Sequence, residues 1–142
     1  MIGADTTFLI QLELVESPGH ASAHALLNQA VLQPQVLVAL APQVLAEFIH
    51  VVTDARRFQT PLTMADATAK ARFWWNATEV RRVFPSVEST LLWLDWMQKH
   101  QLGRKRILDT QLAAILWTAG VRQIVTANPG DFTIFGFQTM TP

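Results

Sequence analysis

The sequence predicts an α/β domain built on a parallel sheet, and three observations point there. Short aliphatic runs alternate with longer helix-patterned stretches, the signature of β–α–β units. One such run, Gln35–Leu40 with Val36, Leu37 and Val38, is continuously apolar, as a strand covered on both faces must be. The length, 142 residues, suits one domain, since single domains typically hold about 100–200 residues. No internal repeat, low-complexity tract or linker divides residues 1–142.

The elements follow in order. Met1–Ala4 is a short apolar strand that ends at Asp5-Thr6-Thr7, and Phe8–Val15 continues with helical spacing. Ser17-Pro18-Gly19 breaks the chain, and the Ala- and Leu-rich His20–Gln33 reads as a helix. Pro34 interrupts before the strand Gln35–Leu40. Pro42 suits the first turn of a helix over Gln43–Arg57, with Val44, Leu45, Phe48, Val51 and Val52 as its apolar stripe. Thr63 is an N-cap for a helix through about Ala77, with Asp66 completing a variant capping box. Arg82–Phe84 is a short strand. Pro85-Ser86 then opens a helix whose Leu91, Leu92, Leu94 and Trp96 are expected to be buried, and Gly103 stops it. Another helix runs from about Arg106 to Ala119 and closes at Gly120, a good C-cap residue. Val121–Thr126 is a strand, Asn128-Pro129-Gly130-Asp131 a tight loop, and Phe137–Met140 a last strand.

Composition narrows the function classes. The absence of cysteine excludes a disulfide scaffold, a Cys-ligated zinc site, an iron–sulfur centre and a thiol nucleophile. Lys+Arg and Asp+Glu balance at 11 each, which argues against a wholly electrostatic nucleic-acid binder while leaving a local patch open. With 15% charged residues and a mean hydropathy of +0.21, the chain is apolar for a lone monomer, so a buried partner surface is expected. The start, Met1-Ile2-Gly3-Ala4-Asp5, lacks the basic and apolar regions of a signal peptide. Apolar runs such as Val36–Pro42 fall far short of the ~20 residues that span a bilayer. The expectation is a cytoplasmic protein with no membrane partner, in which Asn76-Ala77-Thr78 matches a glycosylation sequon by chance. Neither a phosphate-binding glycine loop nor G-x-S-x-G occurs, which disfavours nucleotide hydrolysis, dinucleotide binding and an α/β-hydrolase.

Chemistry enters through carboxylates. In a parallel α/β sheet, ligands sit outside the carboxyl ends of the strands. Asp5 closes the first strand, Glu47 lies in the first turns of the helix after the second, Asp109 starts the helix before the fourth, and Asp131 follows that strand. Apolar neighbours flank each of them: Ile2 and Phe8–Ile10, Leu45 and Phe48, Ile107-Leu108, and Phe132. Carboxylates in such surroundings are paired or hold a cation, and several together repel one another unless a divalent cation intervenes. Oxygen-only ligation without Cys or a consistently placed His points to Mg²⁺ or Mn²⁺ rather than zinc. A carboxylate-held cation, or a pair ~3.5–4 Å apart, orients a phosphodiester and activates water. Thr6, Thr7, Thr126 and Asn128 are placed to hydrogen-bond a water or phosphate oxygen, and Arg104-Lys105-Arg106 to hold a nucleic-acid backbone. Singly, each acid has a plainer reading, as N-cap, surface residue or turn residue. Four at matching topological positions do not.

These residues resemble the PIN-domain nucleases. Asp5-Thr6-Thr7-Phe8-Leu9-Ile10 is similar to the family's opening strand–Asp–Thr motif, Leu45-Ala46-Glu47-Phe48 to its Glu-bearing helix, and Ile107 to Ala114 to the segment with the third acid. Val125-Thr126-Ala127-Asn128-Pro129-Gly130-Asp131-Phe132 resembles the Val-Thr-x-Asn-x-x-Asp-Phe hallmark, the most specific stretch, and Gly136-Phe137 and Pro142 match the way these chains end. The resemblance covers the chain in order and is nearest to the VapC-type toxins of toxin–antitoxin pairs. It implies a three-layer α/β/α sandwich with a central parallel sheet. It also implies a Mg²⁺- or Mn²⁺-dependent endoribonuclease, commonly a homodimer, held inactive by a cognate antitoxin protein. Asp5, Glu47 and Asp109 carry over as the core acids, Asp131 as the fourth, with Asn128 and Thr126 as polar members of the catalytic set. Asn128 stands where family members have an acid or Asn, which puts a strict two-metal mechanism in question.

A non-catalytic PIN-like module that binds RNA or protein is the alternative, and a phosphatase-type domain using Asp5 is a weaker one, lacking a Lys or second Asp beside it. His20 and His24, spaced i,i+4, have no acidic companion and read as chance surface residues rather than a zinc site. His50 and His100 read as structural or exposed. Trp74, Trp75, Trp93, Trp96 and Trp117, with Phe73 and Phe84, are expected in the core or at an interface.

Overall fold

The computed structural model describes residues 1–142. Five three-residue strands make one wholly parallel sheet: β1 (Ile2–Ala4), β2 (Val38–Leu40), β3 (Val80–Arg82), β4 (Gln123–Val125) and β5 (Gln138–Met140), in the order β3-β2-β1-β4-β5. Between them run α1 (Thr6–Glu13), α2 (His20–Leu27), α3 (Pro42–Val52), α4 (Met64–Asn76), α5 (Val87–Lys99), α6 (Ile107–Thr118) and α7 (Gly130–Thr133). From β1 the chain steps outward to β2 and β3, then returns to the other side of β1 for β4 and β5. Right-handed crossovers in opposite directions put α1–α4 on one face and α5–α7 on the other. The result is the expected α/β/α sandwich. No helix is long and apolar enough to cross a membrane.

The central strands β1 and β2 are buried at every position, as their aliphatic runs require. Edge strand β3 carries Arg81 and Arg82, whose exposed charges blunt further strand pairing. Phe8, Phe48, Leu112, Ile115, Leu116, Ile124 and Phe132 fill the space between sheet and helices. At Gly3 the approach is tight: a Cβ there would meet Leu116 Cδ1 at 2.8 Å, so α6 lies directly on β1. Gly120 ends α6 with a positive φ of 88°.

Several boundaries differ from the sequence reading. The helix expected over His20–Gln33 becomes α2 plus a π-helical turn, Asn28–Leu32, and Gln35 at φ 57° delays β2 to Val38. The helix expected to Arg57 stops at Val52. Asp54 there accepts the Arg56 amide at 2.9 Å and competes with helical bonding. β3 lies two residues earlier than Arg82–Phe84, because pairing of Val80 with Val38 sets its register. The segment Asn128–Asp131 is not a plain loop. Pro129 takes helical angles and leads into α7, so Asp131 sits in a first helical turn.

Leu91 and Leu94, expected inside, are 60% and 53% exposed, since α5 turns Trp96 inward to stack on Phe135 at 4.4 Å and leaves its other side open. Phe73 and Phe84 are exposed as well, whereas Trp74 is buried and donates its indole N–H to Glu13 at 2.8 Å. The His20 and His24 pair is not a chance surface feature. Their rings bond the Gln11 and Leu12 carbonyls at 2.8 Å, satisfying the free C-terminal end of α1. His50 is exposed, and His100 packs edge-on against Phe135.

Thr63 caps α4 through the Asp66 amide at 3.1 Å, and Ser86 with Ser89 forms a full capping box on α5. Ser86→Ala is expected to lower stability by about 1 kcal/mol in a denaturant titration, as loss of an N-cap does. An unchanged midpoint would show that water replaces the cap.

Candidate active site

The chain reverses its direction of travel across the sheet beside β1, and the crevice of such a sheet opens where strand order reverses, at the carboxyl ends of β1 and β4. Asp5 follows β1 at that point and Thr126 follows β4. Ala4 pairs with Val125, so the two residues beyond them meet. Thr126 donates its hydroxyl to Asp5 Oδ2 at 2.7 Å, and Thr7 donates to the same oxygen at 3.3 Å. The Thr6 amide donates to Oδ1 at 2.8 Å, which makes Asp5 the N-cap of α1. The plainer reading of Asp5 as a cap and its reading as a site residue are therefore both true of one side chain. At 4% exposure it is the floor of the site. Burial raises its pKa, with the Glu47 charge adding to this, and the Thr126, Thr6 and Thr7 donors oppose the rise.

The other acids arrive from three directions. Glu47, one turn into α3, accepts the Thr6 hydroxyl at 3.0 Å on Oε2. Asp109 lies in the first turn of α6 and is half-buried. Its carboxyl is pushed up to about 7, first by burial and then by the charges of Asp5, Asp131 and Glu47, with a hydrogen bond to Asp131 adding to the rise. The charges of Asp5, Asp131 and Glu47 thus all reach Asp109. Gln43 ties the start of α3 to the start of α6 through the Leu108 carbonyl at 3.1 Å, fixing Glu47 and Asp109 relative to each other.

The placement differs from the expectation in two respects. Only Asp5 is deeply buried; Glu47 is exposed, and Asp109 and Asp131 are intermediate, so the acids form a floor and a rim rather than an enclosed pocket. Nor do three of them converge into a finished coordination sphere. Local partners explain this: Thr126 and Thr7 hold Asp5 Oδ2, Thr6 holds Glu47 Oε2, and Arg106 lies 3.3 Å from Asp131 Oδ1.

Thr126, fully buried, receives the Asn128 amide at 2.9 Å while donating to Asp5, and Thr7 receives the Ala127 amide at 3.0 Å. The loop after β4 is thereby fastened to α1. Asn128 itself is exposed, and its backbone amide is what binds it to the site. Of the basic run, Arg104 and Lys105 are exposed near the mouth, but Arg106 turns inward to Asp131 and is not free to hold a nucleic-acid backbone. Sequence reading missed Gln43 and the engagement of Arg106. Neither contact has a local signal, since the partners are 65 and 25 residues apart.

The donor set is oxygen throughout, and one member, Asp109, has its pKa raised to about 7 first by burial and then by the negative charge of the other three. Such a set fits a hard divalent cation.

No protein-family model matches the chain, and no curated protein matches its sequence. Solved structures do match. VapC20 of Mycobacterium tuberculosis, described as a Sarcin-Ricin loop cleaving toxin, covers 100% of both chains at 22% identity with a TM-score of 0.76. VapBC2 from Rickettsia felis, solved bound to a DNA fragment from its promoter, covers 99% of this chain and 98% of that one at 15% identity, TM-score 0.65. VapBC-1 from nontypeable Haemophilus influenzae covers 99% and 98% at 17% identity, TM-score 0.62. The strand order, the two helical layers and these full-length matches agree, and the chain has the PIN-domain fold of the VapC structures.

Proposed function

We propose that this chain is a Mg²⁺- or Mn²⁺-dependent endoribonuclease, the toxin of a VapBC-type pair, neutralised by a cognate antitoxin protein. One observation carries the reading: at the strand-order reversal the half-buried Asp109 is pushed up to about 7, first by burial and then by the charges of Asp5, Asp131 and Glu47, which come from separate segments. Asp5, Glu47, Asp109 and Asp131 would hold the cation. When bound, it supplies a water activated for attack and positive charge for the phosphodiester and its leaving oxygen.

The chain's own groups do the positioning. Thr126, Thr7 and the Thr6 amide fix the Asp5 carboxylate, leaving Oδ1 with a single donor. Thr6 aims Glu47 from the opposite side. Asn128, at the exposed rim, presents its amide group to a phosphate oxygen, and Arg104 and Lys105 face the backbone of an incoming strand. With a balanced total charge, these few groups rather than the overall field bring RNA to the site. The exposed apolar residues Val87, Leu91 and Leu94 on α5, with Phe84 just before it, support a homodimer or another protein partner.

The test is cleavage of structured RNA by the purified chain. Cleavage is expected with Mg²⁺ or Mn²⁺, lost on chelation and restored by adding the cation back. Mn²⁺ is also expected to raise the melting temperature, by mass action on a folded-state site. Cleavage that continues in excess chelator would overturn the metal-dependent reading, and failure to cut RNA under any cation would overturn the nuclease.

A further inference from the structure

Arg106 ends the short 3₁₀ turn Arg104–Arg106, and its side chain runs inward while its two basic neighbours face solvent. Nη2 donates to the main-chain oxygen of Asp131 at 2.8 Å, and Nε lies 3.3 Å from Asp131 Oδ1. The two side chains are only 25% and 29% exposed. Nε is sheltered from solvent and makes no hydrogen bond, so its tie to the Asp131 carboxylate is one of charge. The contact joins the turn before α6 to α7, the two segments that carry Asp109 and Asp131. Among the four carboxylates of the site, Asp131 is the one paired with a cationic side chain. The other ion pairs of the chain, Arg56 and Arg57 with Asp54 and Lys70 with Glu13, involve none of them.

A guanidinium is charged at every working pH. Nη2 anchors it on the Asp131 main chain and its charge lies against Oδ1, so a divalent cation taking Asp131 must compete with that charge and would leave it uncompensated beside the ion. The site is therefore uneven: Asp5, Glu47 and Asp109 have no cationic partner, whereas Asp131, which also hydrogen-bonds Asp109, lies against the Arg106 charge.

From this geometry we infer that Arg106 is a positioning residue that holds Asp131 as its ion-pair partner and limits the site to one tightly held divalent cation. The inference rests on the metal-dependent reading above and goes beyond it, since it assigns the number of ions and the residue that sets it.

The test is calorimetric titration of the full chain with Mn²⁺, comparing the unmodified protein with Arg106→Gln, Arg106→Lys and the double variant Arg106→Gln/Asp131→Asn. The unmodified protein is expected to take up one ion. Arg106→Gln is expected to take up a second, or to bind the first at least about tenfold more tightly, the scale on which groups just outside a metal's ligands tune its affinity. Arg106→Lys keeps the charge and is expected to stay near the unmodified protein. The double variant is expected to lose the gain, because the gain requires the released Asp131 carboxylate. Equal stoichiometry and affinity in Arg106→Gln, or a gain that survives in the double variant, would overturn the role of Arg106 and leave the nuclease standing. Two ions bound with comparable affinity by the unmodified protein would overturn it as well, even should Arg106→Gln not fold. No Mn²⁺ uptake by any of the proteins would overturn both readings together.

Discussion

Replacing Asp109 by asparagine is expected to abolish RNA cleavage while making the cation-free protein more stable. The two effects share one cause. Burial and the charges of Asp5, Asp131 and Glu47 make the ionised Asp109 unfavourable in the folded chain, holding its pKa at about 7 against an unfolded value of 3.8. Between those two values the folded state binds more protons than the unfolded state, so stability falls as pH rises. The stabilisation is fully present near pH 4 and gone above about pH 7. Water reaches this half-exposed carboxyl, so the cost is set at about 1–2 kcal/mol rather than the full Coulomb energy. Asparagine removes the charge, and the melting temperature at pH 8 without divalent ions should rise by about 3–6 °C. If the site holds a divalent cation as proposed, the same change removes one of its ligands. Loss of several kcal/mol of transition-state stabilisation corresponds to roughly a thousandfold or more in rate. Asp5→Asn should match this loss of cleavage with the opposite sign in stability, because Thr126 and Thr7 would then face an amide where they now donate to an oxygen. A cation-free melt in which Asp109→Asn is no more stable than the unmodified chain would mean that the four carboxyls do not repel as their placement requires.

Thr126→Val is the second large effect. The hydroxyl is fully buried, donates to Asp5 Oδ2 at 2.7 Å and accepts the Asn128 amide at 2.9 Å. Valine fits the same volume and leaves a buried carboxylate oxygen and a backbone amide each short of a partner. The expected loss of stability is about 1–3 kcal/mol, read from a denaturant midpoint. Cleavage should fall about 10–100-fold, as when a group that orients a metal ligand is removed. Thr126→Ser, which keeps the hydroxyl, should recover most of both. A serine variant as damaged as the valine would show that the methyl group, not the hydroxyl, matters there.

The fold was legible because its signals are local and periodic. The aliphatic run around Val38, Pro42 at the start of α3 and Gly120 at the end of α6 each act within a few residues. Boundaries went astray where a distant or competing contact decides them. Asp54 ends α3 through a side-chain bond to the Arg56 amide, and β3 takes its register from Val38, 42 residues before Val80. That the four acids come within reach of one another's charge was legible for a topological reason: the ends of parallel strands are the places where separate segments must meet. What escaped was burial and pairing. Nothing near Glu47 in sequence shows that it stands exposed on the rim, and nothing near Asp131 shows that Arg106 holds it. The helical pattern of α5 suggested Leu91 and Leu94 for the core, but a helix with apolar residues on both sides gives no cue to which side faces inward.

The Thr126–Asp5 hydrogen bond joins positions 121 residues apart, and the other acids are supplied along the chain between and just beyond them. No contiguous fragment can carry the chemistry. A chain still emerging during synthesis, or one clipped between Asp5 and Asp131 and separated into pieces, holds these acidic residues apart. If the proposed activity is right, it is expected only of the intact, folded chain, and a separated-fragment preparation should not cut RNA.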